Sequence, residues 1–176
     1  KGNIEGQIKH IPKEVQWCKR CVISNQRPRI IFNDSGVCSG CVNTDYKNNK
    51  VDWDAREKEL VELLDRHRKN NGEWDVIVPS SGGKDSGFVA HQLRYKYNMN
   101  PLTVTWSPLQ YTDIGFQNFQ SCIDSGVSNL LYTPNGILQR KLARLCFEEL
   151  GDAFHVFVLG QLSYPFHIAV KLGVKL

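Results

Sequence analysis

From residue 74 onward the sequence alternates short apolar runs with longer segments of helical periodicity, and this alternation limits the fold more than any other feature. Apolar runs at 74–78, 102–106, 129–132 and 155–159 are each followed by a helical pattern, at 86–97, 115–124, 137–150 and 162–172. Strands buried on both faces read as continuous apolar runs, and short strand-to-helix connections favour a parallel sheet with right-handed crossovers. The pattern therefore predicts an α/β domain over 74–176 with a Rossmann-like parallel sheet of four strands. Phe88, Val89, Leu93 and Tyr97 are expected on the inner side of its first helix. A chain of 176 residues has room for one such domain and a small module besides. With 41% hydrophobic and 23% charged residues it is near the globular average, which argues against intrinsic disorder.

The residues upstream divide into an N-terminal arm (1–16), a cysteine module (17–50) and a linker helix (51–73). In the linker helix Leu60, Val61 and Leu64 share a face, and Asp52 or Asp54 can serve as N-cap. The module pairs Cys18 with Cys21 and, after sixteen intervening residues, Cys38 with Cys41. Two such knuckles supply the four thiolates that a tetrahedral Zn2+ accepts, at about 2.3 Å each. Four protein ligands leave no open position, so the zinc is expected to be structural and to contribute on the order of 10 kcal/mol to folding. An iron–sulfur cluster, two disulfides or four separate thiols are the alternatives. Lys19, Arg20, Arg27 and Arg29 either meet a phosphate or RNA, or offset the negative charge of a four-thiolate centre.

Paired cysteines suit a reducing compartment. No run approaches the roughly 18 apolar residues that a membrane helix needs, and the first fifteen residues lack a signal-peptide core. A cytoplasmic protein without membrane insertion is expected. The excess of 22 basic over 18 acidic residues, +4, falls short of a dedicated nucleic-acid binder.

The segment Ser81-Gly82-Gly83-Lys84-Asp85-Ser86 follows the first apolar run and opens a helix. Two glycines let the backbone approach a phosphate, the helix start turns its amides and positive dipole end toward it, and Ser81, Ser86 and Lys84 add donors. Asp85 does not suit a bare anion cradle and is better explained as a Mg2+ contact, so a magnesium nucleotide reconciles the two. The segment is neither the G-x-x-x-x-G-K-[ST] of kinase-type P-loops nor the G-x-G-x-x-G of dinucleotide folds.

This segment resembles the S-G-G-x-D-S signature of the PP-loop ATP pyrophosphatases. The resemblance implies cleavage of ATP between its α and β phosphates, with AMP activating an oxygen of the acceptor. Much of the chain is similar to the N-acetyl sugar amidotransferases of bacterial surface-polysaccharide synthesis. That likeness rests on the cysteine module preceding the loop, on 103–108, 111–116, Asn118-Phe119 and 132–136, and on Leu159-Gly160-Gln161. It implies an enzyme of lipopolysaccharide O-antigen or related glycan synthesis, which adenylates the acetamido oxygen of a nucleotide-linked N-acetyl sugar. Ammonia then displaces AMP to give an acetamidino group, and a separate glutaminase subunit supplies the ammonia. Lys84 and Asp85 become the catalytic candidates. A tRNA-thiolating PP-loop enzyme and a non-catalytic zinc and nucleotide scaffold are the competing readings.

Trp106, Ser107, Asp113 and Asn118 follow the second apolar run, on the side where open parallel sheets gather their ligands. Trp106 is expected either to stack on adenine or to pack inside. Ser107, Asp113 and Asn118 are candidates for the sugar, and Gly160 with Gln161, after the fourth run, for closing the nucleotide pocket. Cys122 and Cys146 read as core thiols, and His155 and His167 as structural. The final Val174-Lys175-Leu176 resembles the start of a further strand, so the domain is expected to be incomplete at its C-terminus.

Overall fold

The computed structural model describes residues 12–176. The chain divides into two units between Glu57 and Lys58, inside the expected linker helix. Residues 1–11 of the predicted arm lie outside the described residues.

In the first unit two antiparallel bridges, Trp17 with Ser24 and Phe32 with Cys38, bracket the cysteine loops. Residues 27–29 form a bend and turn, in which Arg29 adopts a positive φ of 63°, before the chain reaches the bridge at Phe32. Asn33 builds the turn that returns the chain to Cys38. Its carbonyl accepts from the Gly36 amide at 2.8 Å, its side chain accepts from the Val37 amide at 2.9 Å, and Gly36 has a φ of 73°. Helix α1, Ser39–Asn49, follows directly, and α2, Trp53–His67, is capped by the Asp52 carboxylate, which accepts from the Ala55 amide.

In the second unit the sheet has three parallel strands in the order β1-β2-β3: β1 Val76–Ser80, β2 Pro101–Trp106 and β3 Ser128–Tyr132. Helix α3, Lys84–His91, leaves β1 and widens into a π-helical turn over Gln92–Lys96; α4, Asp113–Asp124, follows β2, and α5, Gly136–Leu150, follows β3. Alternation of side chains along β1 divides the core. Val76 and Val78 pack with Leu64, Ala90, Met99 and Val127, while Ile77 packs with Leu102, Val104, Ile168 and Val174 on the opposite face. The buried Asp75 carboxylate accepts the amides of Lys69 and Asn100, which fixes the entry into β1. On β2 the buried hydroxyls of Thr103 and Thr105 each accept from Asn129 Nδ2 at 2.8 Å, so both threonine hydroxyls are satisfied within the sheet.

The α/β class and the parallel pairing agree with the sequence, but the expected fourth strand is absent among the described residues. Residues 155–159 open a single helix, α6, His155–Leu172. A stretch apolar on every side carries no period with which to distinguish strand from helix, and Gly160 is no break: it lies against the Trp106 ring, where a Cβ would come within 2.3 Å. A second correction concerns α3. Phe88 and Val89 are 66% and 47% exposed, whereas Leu93 and Tyr97 pack against the core as expected, beside the buried Ala90. β3 is an edge strand with half of its surface open, not a strand buried on both faces. Among the described residues no single helix is long and apolar enough to cross a membrane.

Candidate functional site

Four thiols converge in the first unit. The Sγ atoms of Cys18, Cys21, Cys38 and Cys41 all lie within 4.8 Å of one another, with 3.6 Å between Cys21 and Cys38 and 4.0 Å between Cys18 and Cys41. A tetrahedron with metal–sulfur bonds of about 2.3 Å has edges of about 3.8 Å. The thiols are unbridged, and the spacing fits a four-thiolate metal centre. Backbone amides support it: those of Arg20 and Cys38 donate to Cys18 Sγ at 3.4 and 3.3 Å, and that of Cys41 to Cys38 Sγ at 3.4 Å. The Cys38 amide is the main reason that the Cys18 thiol is lowered to about 6. Hydrogen bonding with Cys21, followed by burial, pushes Cys41 up to about 12. The group can hold a metal ion such as zinc.

The second constellation is at the C-terminal end of β1. Gly82 has a φ of 76°, is buried, and lies so close to α4 that a Cβ would fall 2.8 Å from the Phe119 Cα. The loop is closed by a relay of hydroxyls. The Gly82 amide donates to Ser80 Oγ, Ser80 Oγ to Ser86 Oγ at 3.3 Å, and Ser86 Oγ to the Gly83 carbonyl at 3.1 Å. Ser86 therefore buttresses the loop. Ser80, to which the sequence reading gave no role, is the hinge of the relay; its signal was its position as the last strand residue before the glycines. Gly83 N-caps α3 with no side-chain capping bond, which leaves first-turn amides for an anion.

Ser81, Gly83, Lys84, Asp85 and Ser86 line one cavity of about 530 Å³, walled on its apolar side by Pro79 and Val89. Lys84 Nζ and Asp85 Oδ1 are 2.7 Å apart, and both side chains are about nine-tenths exposed. Next to this is a smaller cavity of about 230 Å³, where Ser80 and Ser81 meet Trp106 and Gln161. Ser81 borders both. Gln161 therefore comes to the loop as expected, although from a helix rather than from a strand end. Pro165, buried four residues on in α6, has no N–H to offer the Gln161 carbonyl.

Other candidates are placed differently. The Trp106 ring packs among Tyr132, Tyr164 and Gly160, with ring centroids 4.9 and 5.7 Å from the two tyrosines, and also lines the smaller cavity. Gly160 is a contact glycine beneath that ring. Ser107 is buried, with its hydroxyl on the Pro108 carbonyl. Asp113 and Asn118 are not in a strand-to-helix loop: both are exposed residues of α4, whose cap is Thr112, and neither lines the two cavities. Cys122 and Cys146 are half-buried on α4 and α5. His155 and His167 are both on α6; His167 is exposed and stacks on Tyr164.

Fold and site thus define an α/β protein with a three-stranded parallel sheet and a four-cysteine group able to bind metal. No protein-family model matches the chain. It is 32% identical over 89 residues to the uncharacterized protein MJ1599 of Methanocaldococcus jannaschii, a stretch amounting to 49% of this chain and 31% of the relative. The chain spans about a third of that relative's length.

Proposed function

We propose that the β1–α3 loop binds the phosphates of ATP, and that the protein is an ATP-dependent amidotransferase acting on the acetamido group of a nucleotide-linked N-acetyl sugar. The observation that carries this reading is the cavity at the uncapped start of α3, where Ser81, Gly83, Lys84, Asp85 and Ser86 converge at the C-terminal end of a parallel strand. Its exposed ammonium and carboxylate suit a phosphate chain carrying a divalent ion. A magnesium ion bound there would neutralise charge on departing pyrophosphate. The first-turn amides and Lys84 bind the phosphates, Asp85 orients the ion, and the Ser80–Ser86 relay keeps the loop in shape.

In the reaction the amide oxygen attacks the α phosphorus, and the bond to the β-phosphate oxygen breaks as pyrophosphate leaves. Ammonia then adds to the activated carbon, AMP leaves with the former amide oxygen, and the nitrogen sheds its surplus proton to give the amidine. Gln161, on the second cavity beside Ser81, is placed to meet the acceptor or the nucleotide. A thiolation reading has less support, because outside the metal group only Cys122 and Cys146 remain, and neither lines the loop cavity. A separate glutaminase subunit would supply ammonia, and the four-cysteine group would carry a structural zinc.

The test is pyrophosphate release from ATP with UDP-linked N-acetyl sugars and ammonium salt, together with a product one mass unit lighter than the sugar. Lys84→Ala and Asp85→Ala should each lower release by about a hundredfold or more, as expected for removal of preorganised charge stabilisation, and leave bound zinc unchanged. Formation of ADP instead of pyrophosphate would overturn the reading.

A further inference from the structure

A groove of about 470 Å³ on the cysteine module belongs to neither constellation. Ser39, Val42, Asn43 and Tyr46 present one face of α1 to it, at positions i, i+3, i+4 and i+7, opposite Ile31 and Val37. Ile31, Val42 and Tyr46 are 70%, 46% and 59% exposed, so the apolar wall has no partner among the described residues. Charge is concentrated in the same segment. Residues 17–50 hold Lys19, Arg20, Arg27, Arg29, Lys47 and Lys50 against Asp34 and Asp45, six minus two, an excess of four that still exceeds the two net negative charges of a zinc held by four thiolates.

Arg20 and Asp45 neutralise one another, and the other five cations make no ion pair among the described residues. None of them lines the groove itself. The Lys19 stem lies over Gly36, beside Val37, and Lys47 and the C-cap Lys50 follow the lining residues Asn43 and Tyr46 by one helical turn. Single-stranded nucleic acid is favoured by flat stacking platforms, and the groove offers one aromatic ring among branched aliphatic side chains. Branched aliphatics instead hold aliphatic or aromatic anchors of a peptide, and the unpaired cations attract carboxylates beside them.

We infer that this groove docks an acidic peptide segment of a partner protein, with an aliphatic or aromatic anchor seated between Val42, Tyr46 and Ile31. The inference is independent of what the β1–α3 loop binds. The full zinc-loaded chain is used to select from a random peptide library, and the enriched peptides are then measured by fluorescence anisotropy. Enriched sequences should carry an apolar anchor flanked by Asp or Glu. Their affinity should fall about tenfold or more with Val42→Asp or Tyr46→Ala, as for loss of a central anchor contact. With Lys47→Glu combined with Lys50→Glu, affinity should fall and its salt dependence should shrink. Zinc content and unfolding midpoint, unchanged in these surface variants, separate lost docking from lost folding. The inference is overturned by no enrichment, by enriched peptides without net negative charge, by undiminished binding to Val42→Asp, or by oligouridylate binding in the groove in place of every peptide.

Discussion

Gly82 joins two constraints that a side chain cannot meet together. Its φ of 76° disfavours any Cβ, and the Phe119 backbone occupies the position where one would go. Gly82→Ala is therefore expected to cost about 2–3 kcal/mol, read as a lowered unfolding midpoint, and to weaken nucleotide retention in equilibrium dialysis more than that loss of stability explains. At this scale much of the site was legible in advance. Glycines followed by Lys84, Asp85 and Ser86 after a strand point to one shared loop site from residue chemistry alone, and the structure brings those residues to one cavity. The role of Ser80 was not legible, because a serine ending a strand has many uses and its partner Ser86 is fixed only by the fold of the loop. The same holds for Trp106, whose neighbours Tyr132 and Tyr164 are 26 and 58 positions away in the chain.

The paired cysteine loops and α1 form an element whose geometry is set by thiols and amides more than by apolar burial. Cys18, lowered to about 6 from the 9.0 of an unperturbed thiol, contributes stability to the ordered cluster that is complete above 9.0 and is lost progressively as pH falls to about 6. Metal binding adds to this, since each ligand must shed its proton. Zinc is therefore expected to be retained at neutral pH and released progressively once the pH drops below about 6, which a chromogenic chelator reads directly. Loss of far-UV signal from α1 should accompany release. The spacing of the cysteines predicted the convergence of their sulfurs, because two knuckles of fixed length allow few other outcomes. Helix α6 was misread for the opposite reason: from His155 to Leu159 no polar residue after the first marks a face, so length and periodicity had nothing to act on. For α3 half of the inner face was legible: Leu93 and Tyr97 pack inward, while Ala90 takes the place expected for Phe88 and Val89.

At the scale of the molecule, apolar surface is distributed unevenly. Leu159, Leu162, Phe166 and Val170 make one stripe along α6, the last two 72% and 82% exposed, while its other side packs Ile168 on the sheet. Replacing Phe166 and Val170 with Glu should leave the unfolding midpoint nearly unchanged, since neither side chain is buried, and reduce self-association seen by static light scattering at high concentration. The sheet's outer margin works the other way. The Ile77 amide donates to the Leu176 carbonyl at 2.8 Å on the side of β1 away from β2, and the next backbone group facing that way belongs to Pro79, which has no hydrogen to give. A foreign strand sliding along this flank finds one rung already taken and the following rung missing. A single imino acid thus protects the flank against templated fibril growth, two residues before the loop that requires the sheet to end there.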